Sequence, residues 1–175
     1  MKMLKKILFL GKKQRGFTLL ELLIAFAIGA LVAGSATTAI MQVFNNSARS
    51  SNHMTAVRDA QMAGGRLSHD AKMAQEVTEG ASSGFPLTLE WRDWTGSQHQ
   101  VVYNVSGTNL VRTYTQDAGS PTDASVARHI NSSGTSVVWD EVNNVLTFTV
   151  MSTVGVGSQQ GNETRVYEVI PRPSL

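Results

Sequence analysis

From Leu22 to Val43 the chain runs for about 22 residues without a charged side chain, close to the ~20 that a helix needs to cross a ~30 Å hydrocarbon core. Gly29 and Gly34 lie within this run. They lower helix propensity by about 1 kcal/mol each, but in lipid they let another helix approach closely. The first half of the run is preceded by Lys2, Lys5, Lys6, Lys12, Lys13 and Arg15, with no acid before Phe17. Positive charge of this kind keeps the Met1 end in the cytoplasm, so the rest of the chain is expected on the other side of the membrane. The same residues explain the basic pI of about 9.1 and the formal charge of +2. From Phe17 onward nine basic residues face thirteen acidic ones, a net of −4. The basic character therefore belongs to the N-terminal segment, and no nucleic-acid partner is indicated. The chain has no cysteine, which excludes a disulfide framework and thiolate metal sites.

One carboxylate interrupts the pattern. Glu21 is the only ionisable side chain between Phe17 and Phe44, and a charge at bilayer depth costs roughly 2.5–3.5 kcal/mol on insertion scales. A secretory signal peptide would use "LVAGSATTA" as its cleavage region, yet its apolar core would not carry Glu21. An ordinary anchor explains the apolar run and leaves both Glu21 and the Gly16-Phe17 junction without a purpose.

"KKQRGFTLLELLIA" resembles the cleavage and methylation site of type IV pilins and type II secretion pseudopilins. The resemblance implies that a prepilin peptidase cuts after Gly16 on the cytoplasmic side and that Phe17 is then N-methylated. It further implies that Glu21 of an incoming subunit pairs with the new α-amino group of a neighbour and so sets axial register. The bland alternative is a glutamate that snorkels to the interface.

The helical pattern continues past Phe44. Val57, Gln61, Gly64, Leu67, Ala71, Ala74 and Val77 recur at spacings of three and four, a narrow apolar stripe. One helix is expected from about Thr18 to Thr78, frayed near Asn45–Ser51 and weakened at Gly64-Gly65, with Arg58, Arg66, Asp70 and Lys72 solvated. Ser68-His69-Asp70 spells the letters of a hydrolase triad, but neighbours on a helix point about 100° apart and cannot form that chain. The histidines at 53, 69, 99 and 129 show no ligand spacing. The chain is expected not to be an enzyme.

After Val77 the composition changes. "EGASSGFP" reads as a linker, followed by strands over Leu87–Trp91, Gln100–Val105, Leu110–Thr115, a short segment at Val126–Ile130, then Ser136–Asp140, Val145–Met151 and Arg165–Ile170. Ser106–Asn109 and Asn143-Asn144 are hairpin signals, while "AGSPTDAS" and "GVGSQQGNE" read as loops. Trp91, Trp94, Tyr103, Trp139, Phe148 and Tyr167 fall mostly at strand positions that suit a core. No cofactor is expected. Calcium between Asp117 and Asp123 is the one candidate, without a dense acidic ligand set around it.

The expected fold is α+β: a long N-terminal helix, membrane-spanning in its first half and amphipathic in its second, packed on a C-terminal antiparallel β-domain. The expected parts are a leader (1–16), a membrane and filament-core helix (17–44), its amphipathic continuation (45–78) and an extracytoplasmic β-rich domain (79–175). "AVRDAQMAGGRLSHDAKMAQEV" is similar to the post-membrane helix of J-type minor pseudopilins. "VVYNVSGTNLVRTYT" is similar to a minor-pilin hairpin, through Tyr103, Gly107, Asn109, Leu110 and Arg112. Glu21 argues against the K-type tip subunit, which usually lacks it. The resemblance implies a single-pass inner-membrane protein that joins other major and minor pilins, with the prepilin peptidase and an assembly platform as further partners. The competing class is an anchored or secreted binding module.

Overall fold

The computed structural model describes residues 16–117 and 119–172. The basic residues through Arg15 and nearly all of the expected leader lie outside the described residues. The chain divides into two units, Met1–Val43 and Phe44–Leu175. Helix α1 (Leu19–Met73) supplies all the described regular structure of the first unit and opens the second. In the first unit its side chains are exposed throughout. It is the helix, among the described residues, that is long and apolar enough to cross a membrane.

In the second unit α1 packs against antiparallel sheets, as the α+β expectation requires. Strands β1 (Glu76–Gly80), β2 (Gly84–Arg92), β3 (Gln98–Ser106), β4 (Asn109–Gln116) and β5 (Thr122–Ala127) form one sheet in sequence order. Strands β6 (Ser136–Asp140), β7 (Val145–Val154) and β8 (Gly161–Val169) form a second. Val137 N–H donates to the Ser83 carbonyl and Trp139 N–H to Glu79 Oε2, both at 2.8 Å, joining the two sheets. Alternation points Leu87, Leu89 and Trp91 of β2, Val101 and Tyr103 of β3, and Leu146, Phe148 and Val150 of β7 into one core. Fully burying side chains of this size contributes about 1.5–3 kcal/mol each.

The helix face in this core is made of small residues, Ala56, Ala60, Ala63, Gly64 and Ala71, with Leu67 as its one large apolar member; Ala74, just past the helix end, continues it. The expected stripe is thus displaced in its first half. Val57 is only half-buried and Gln61 is exposed, because alanines bring the backbone nearer to the sheet than a branched side chain would. Gly64 serves the same end. A Cβ there would overlap the ring of Tyr167, whose hydroxyl reaches the Ala60 carbonyl at 3.4 Å.

Four local expectations are corrected. The helix stops at Met73, not Thr78, although neither Gly nor Pro ends it. Gln75 N–H donates instead to the Glu90 carbonyl at 2.8 Å, and β1 pairs with β2 through Val77↔Leu89 and Thr78↔Thr88. What looked like a linker is therefore mostly strand. Second, α1 does not break at Asn45–Ser51. Gln159 Nε2 donates to Asn45 Oδ1 at 2.9 Å and Asn52 Nδ2 to the Gln159 carbonyl at 2.8 Å, tying the β7–β8 connection to the helix. Third, half of "AGSPTDAS" is β5, which the sequence hides because it is largely exposed and rich in Asp, Ser and Ala. Last, Asp70 is not solvated but is buried under the sheet. Both hairpins form where expected, with Ser106 paired to Asn109 and Asp140 to Val145.

At Gly161 the backbone of β8 lies close against the backbone of the helix. A Cβ there would fall within the backbone of His53 and 2.7 Å from the Asn52 carbonyl carbon. Backbone cannot rotate aside as a side chain can. Gly161→Ala is therefore expected to destabilise the domain by roughly 1–3 kcal/mol, measured by thermal unfolding of the full chain in detergent, whereas Gly65→Ala, which meets nothing within 4 Å, should be neutral or stabilising.

Candidate processing and assembly site

Gly16 and Phe17 precede the first helical turn in extended or irregular backbone. Phe17 is 87% exposed, and among the described residues, its chain neighbours aside, nothing lies within 4 Å of where a Gly16 Cβ would stand. Two residues on, Thr18 caps α1. Its carbonyl accepts from Leu22 N–H at 3.2 Å, and its Oγ1 accepts from Glu21 N–H at 3.2 Å. Glu21 Oε2 in return accepts from Thr18 N–H and Thr18 Oγ1, each at 3.0 Å. This is a reciprocal capping box, Thr-x-x-Glu, which satisfies orphan donors at a helix start. The negative side chain also sits where the helix dipole favours it.

The capping box is a functional feature that the sequence reading missed. Its signal was present in "TLLE", but Glu21 was weighed only as a charge in lipid. The box supplies local partners for one carboxylate oxygen, a reason for Glu21 to be tolerated at the start of an apolar helix. Phe17, Glu21, Leu22, Ala25, Phe26, Gly29, Ala30 and Ala33 line a shallow, open face of the helix. Glu21 therefore lies at the end of a stripe with small residues at 25, 29 and 33, where a second helix could come close.

In the second unit one titratable cluster is buried. Asp70 Oδ2 accepts from the Tyr103 hydroxyl and from Arg112 Nε, both at 2.6 Å, and Arg66 Nε lies 3.8 Å away. Burial and then the Asp70 hydrogen bond push the Tyr103 pKa above its ordinary value. For Arg112, burial opposes the charged form, but the hydrogen bond and charge of Asp70 outweigh it and raise the guanidinium pKa. The Arg112 guanidinium also stands over the Tyr114 ring, 5.2 Å from its centroid. Tyr103 and Arg112 thus hold their protons tightly, and the cluster acts as a staple between α1 and strands β3 and β4.

The other candidates separate. His129 Nδ1 is 2.8 Å from Asp59 Oδ2, whereas His69 is exposed on the helix and His53 Nδ1 lies 3.2 Å from the Asn162 carbonyl. His99 stacks on Trp91 with ring centroids 5.3 Å apart, and its Nε2 lies 3.2 Å from Asp93 Oδ2. Hydrogen bonds from Thr95 and then from His99 hold the Asp93 pKa at about 2. Asp117 Oδ1 accepts from Gln98 N–H at 2.9 Å and Asp123 Oδ1 from Thr113 Oγ1 at 2.6 Å, so each carboxylate is engaged by protein donors. Among the described residues no group of three or more His, Asp or Glu side chains could hold a metal ion. Of the six aromatic residues named from the sequence, five are buried or half-buried, while Trp94 is 96% exposed.

A family model described as the prokaryotic N-terminal methylation motif matches residues 11–37. No curated protein and no solved structure matches the chain. The matched residues include Gly16, Phe17, Thr18 and Glu21. The motif supports a pilin-like or pseudopilin-like subunit, a structural protein, and with the apolar helix it fits a single-pass protein anchored in a membrane.

Proposed function

We propose that the chain is a minor pseudopilin or minor pilin, a structural subunit that prepilin peptidase cuts between Gly16 and Phe17. Hydrolysis of that bond leaves a carboxylate on Gly16 and an α-amino group on Phe17, and this amine is then N-methylated. The subunit remains in the inner membrane, N-terminus cytoplasmic and β-domain extracytoplasmic, until the assembly platform passes it to other pilins. Residues 17–44 are the filament core, the rest of α1 as far as Met73 links it to the sheets, and the strands from Glu76 onward form most of the outer domain. Glu21 then pairs with the N-terminal amine of a neighbour, the charge-assisted bond that removes an isolated carboxylate from an apolar interior. The single observation that carries this reading is the Gly16-Phe17 junction placed directly before a Glu21-bearing apolar helix within the methylation motif.

The likeness of the helix and of the Tyr103–Arg112 hairpin to J-type minor pseudopilins favours a place at the filament tip, as an assembly initiator in a type II secretion pseudopilus or a type IV pilus-like filament. Intact-mass and N-terminal analysis of protein from its native host tests the reading. An N-methylated Phe17 is expected; an N-terminus near Ala36, or a retained Met1, would sink it in favour of an anchored binding module.

A further inference from the structure

A groove of ≈ 650 Å³ lies in the second unit where Lys72 and Met73 end α1, lined also by Trp91, Arg92, Trp94 and Arg172. Its backbone is tied from three sides. Gln75 N–H donates to the Glu90 carbonyl, Gln75 Oε1 accepts from Arg92 N–H, and Arg172 N–H donates to the Ala74 carbonyl, all within 2.8–2.9 Å. The groove is thus preorganised, and the exposed side chains around it are not what holds the fold.

Three of the nine basic residues after Phe17 converge here, on a part of the chain whose net charge is −4. Among the described residues none of Lys72, Arg92 and Arg172 has a carboxylate within salt-bridge reach. The acid on the rim, Asp93, is turned into its own loop. Its Oδ1 accepts from Thr95 N–H, Thr95 Oγ1 and Ser97 N–H, and its Oδ2 meets His99. Lys72 and Arg172 gain from the negative end of the helix dipole, but that partial charge does not neutralise three cations. Nor does folding explain Trp94, which stands on the β2–β3 turn at 96% exposure while Trp91 floors the groove. Exposed Trp beside Arg is the chemistry of a protein-interface anchor, and cations with no carboxylate in reach among the described residues call for carboxylates opposite them.

We propose that this groove docks an acidic segment of a partner protein, with an apolar or aromatic side chain against Trp91 and Trp94 and carboxylates on Lys72, Arg92 and Arg172. A polynucleotide fits less well, because the net-negative domain repels a long polyanion and offers no extended basic track. The groove lies wholly within the second unit, so the inference does not depend on the processing or fate of the N-terminus.

The test uses the full chain in detergent micelles and a labelled peptide, acetyl-Asp-Glu-Phe-Glu-Asp, followed by fluorescence anisotropy. The expected result is saturable binding that weakens with salt and falls at least ~10-fold in Trp94→Ala and in the pair Arg92→Gln/Arg172→Gln. Arg128→Gln, outside the groove, should leave binding unchanged. Unchanged circular dichroism in each variant confirms that the fold survives. Absence of peptide binding, equal binding of the matched Asn/Gln peptide, or insensitivity to both groove variants overturns the proposal. So does binding of a single-stranded oligothymidylate in place of the peptide, which would assign the groove to nucleic acid, or self-association lost in the same variants, which would assign it to a second copy.

Discussion

Glu21→Gln is expected to be cut after Gly16 as the parent is, and yet to enter filaments roughly 10- to 100-fold less well. The substitution separates two roles that alanine would confound. A glutamine at the third helical position preserves a capping box, so Thr18 N–H keeps its acceptor and the helix start is unchanged. Only the negative charge is lost. If pairing with a neighbour's amine is what Glu21 does, a charge-assisted hydrogen bond of about 1.5–3 kcal/mol goes with it, and each ~1.4 kcal/mol is tenfold in an equilibrium. Glu21→Ala should be cut as well, while losing both the charge and a cap worth about 0.5–2 kcal/mol. Immunoblots of membrane and sheared-filament fractions read the outcome. If Glu21→Gln assembles normally while Glu21→Ala does not, the carboxylate is a cap and nothing more, and the pairing role is withdrawn.

Asp70→Ala is expected to destabilise the second unit by about 3–5 kcal/mol, the cost of leaving a buried charge without its partner. Arg112, with 12% of its side chain exposed, and the fully buried Tyr103 would both lose the oxygen they share. Urea unfolding of the full chain in detergent gives the value, and a loss under ~1 kcal/mol would show that the staple is not structural. The pair Asp70→Leu/Arg112→Met should recover much of the loss, because removing both charges leaves no uncompensated ion. The alkaline limb offers an independent check. Tyr103 ionises above its ordinary value near 10, held there by burial and by Asp70. Its contribution is complete below about pH 10 and is lost as pH rises toward the raised folded value. Phenolate absorbance should therefore show Tyr103 titrating above its ordinary value, and Asp70→Ala, which removes the hydrogen bond but not the burial, should lessen that delay without abolishing it.

The staple also relates two stretches that the sequence presents separately. Asp70 belongs to the second half of α1, while Tyr103 and Arg112 belong to the β3–β4 hairpin. In the sequence they are merely a charged helix position and two strand positions. In the fold they meet at one carboxylate oxygen. Period alone assigns the charged Asp70 to the outer, solvated face. Burial of a charge needs a partner, and both partners lie more than thirty residues away.

Most of the first unit was legible in the amino-acid order alone. The apolar run and its basic flank are contiguous, and membrane insertion rests on hydration and helix geometry that need no tertiary contact. The Gly16-Phe17 junction and Glu21 were legible through the methylation motif. The amino-acid order also determined the two hairpins, since Ser106–Asn109 and Glu141–Asn144 turn the chain through local backbone preference. Tertiary structure alone decided where α1 ends, because no breaker follows Met73 and only the pull of β2 on Gln75 and Val77 stops it. The same holds for β1 and β5, whose residues alternate weakly and whose pairing comes from the strand beside them. It decided as well that alanines at 56, 60 and 63, rather than Val57 and Gln61, face the core. How closely a helix may approach a sheet is a property of both surfaces together, and one surface cannot state it.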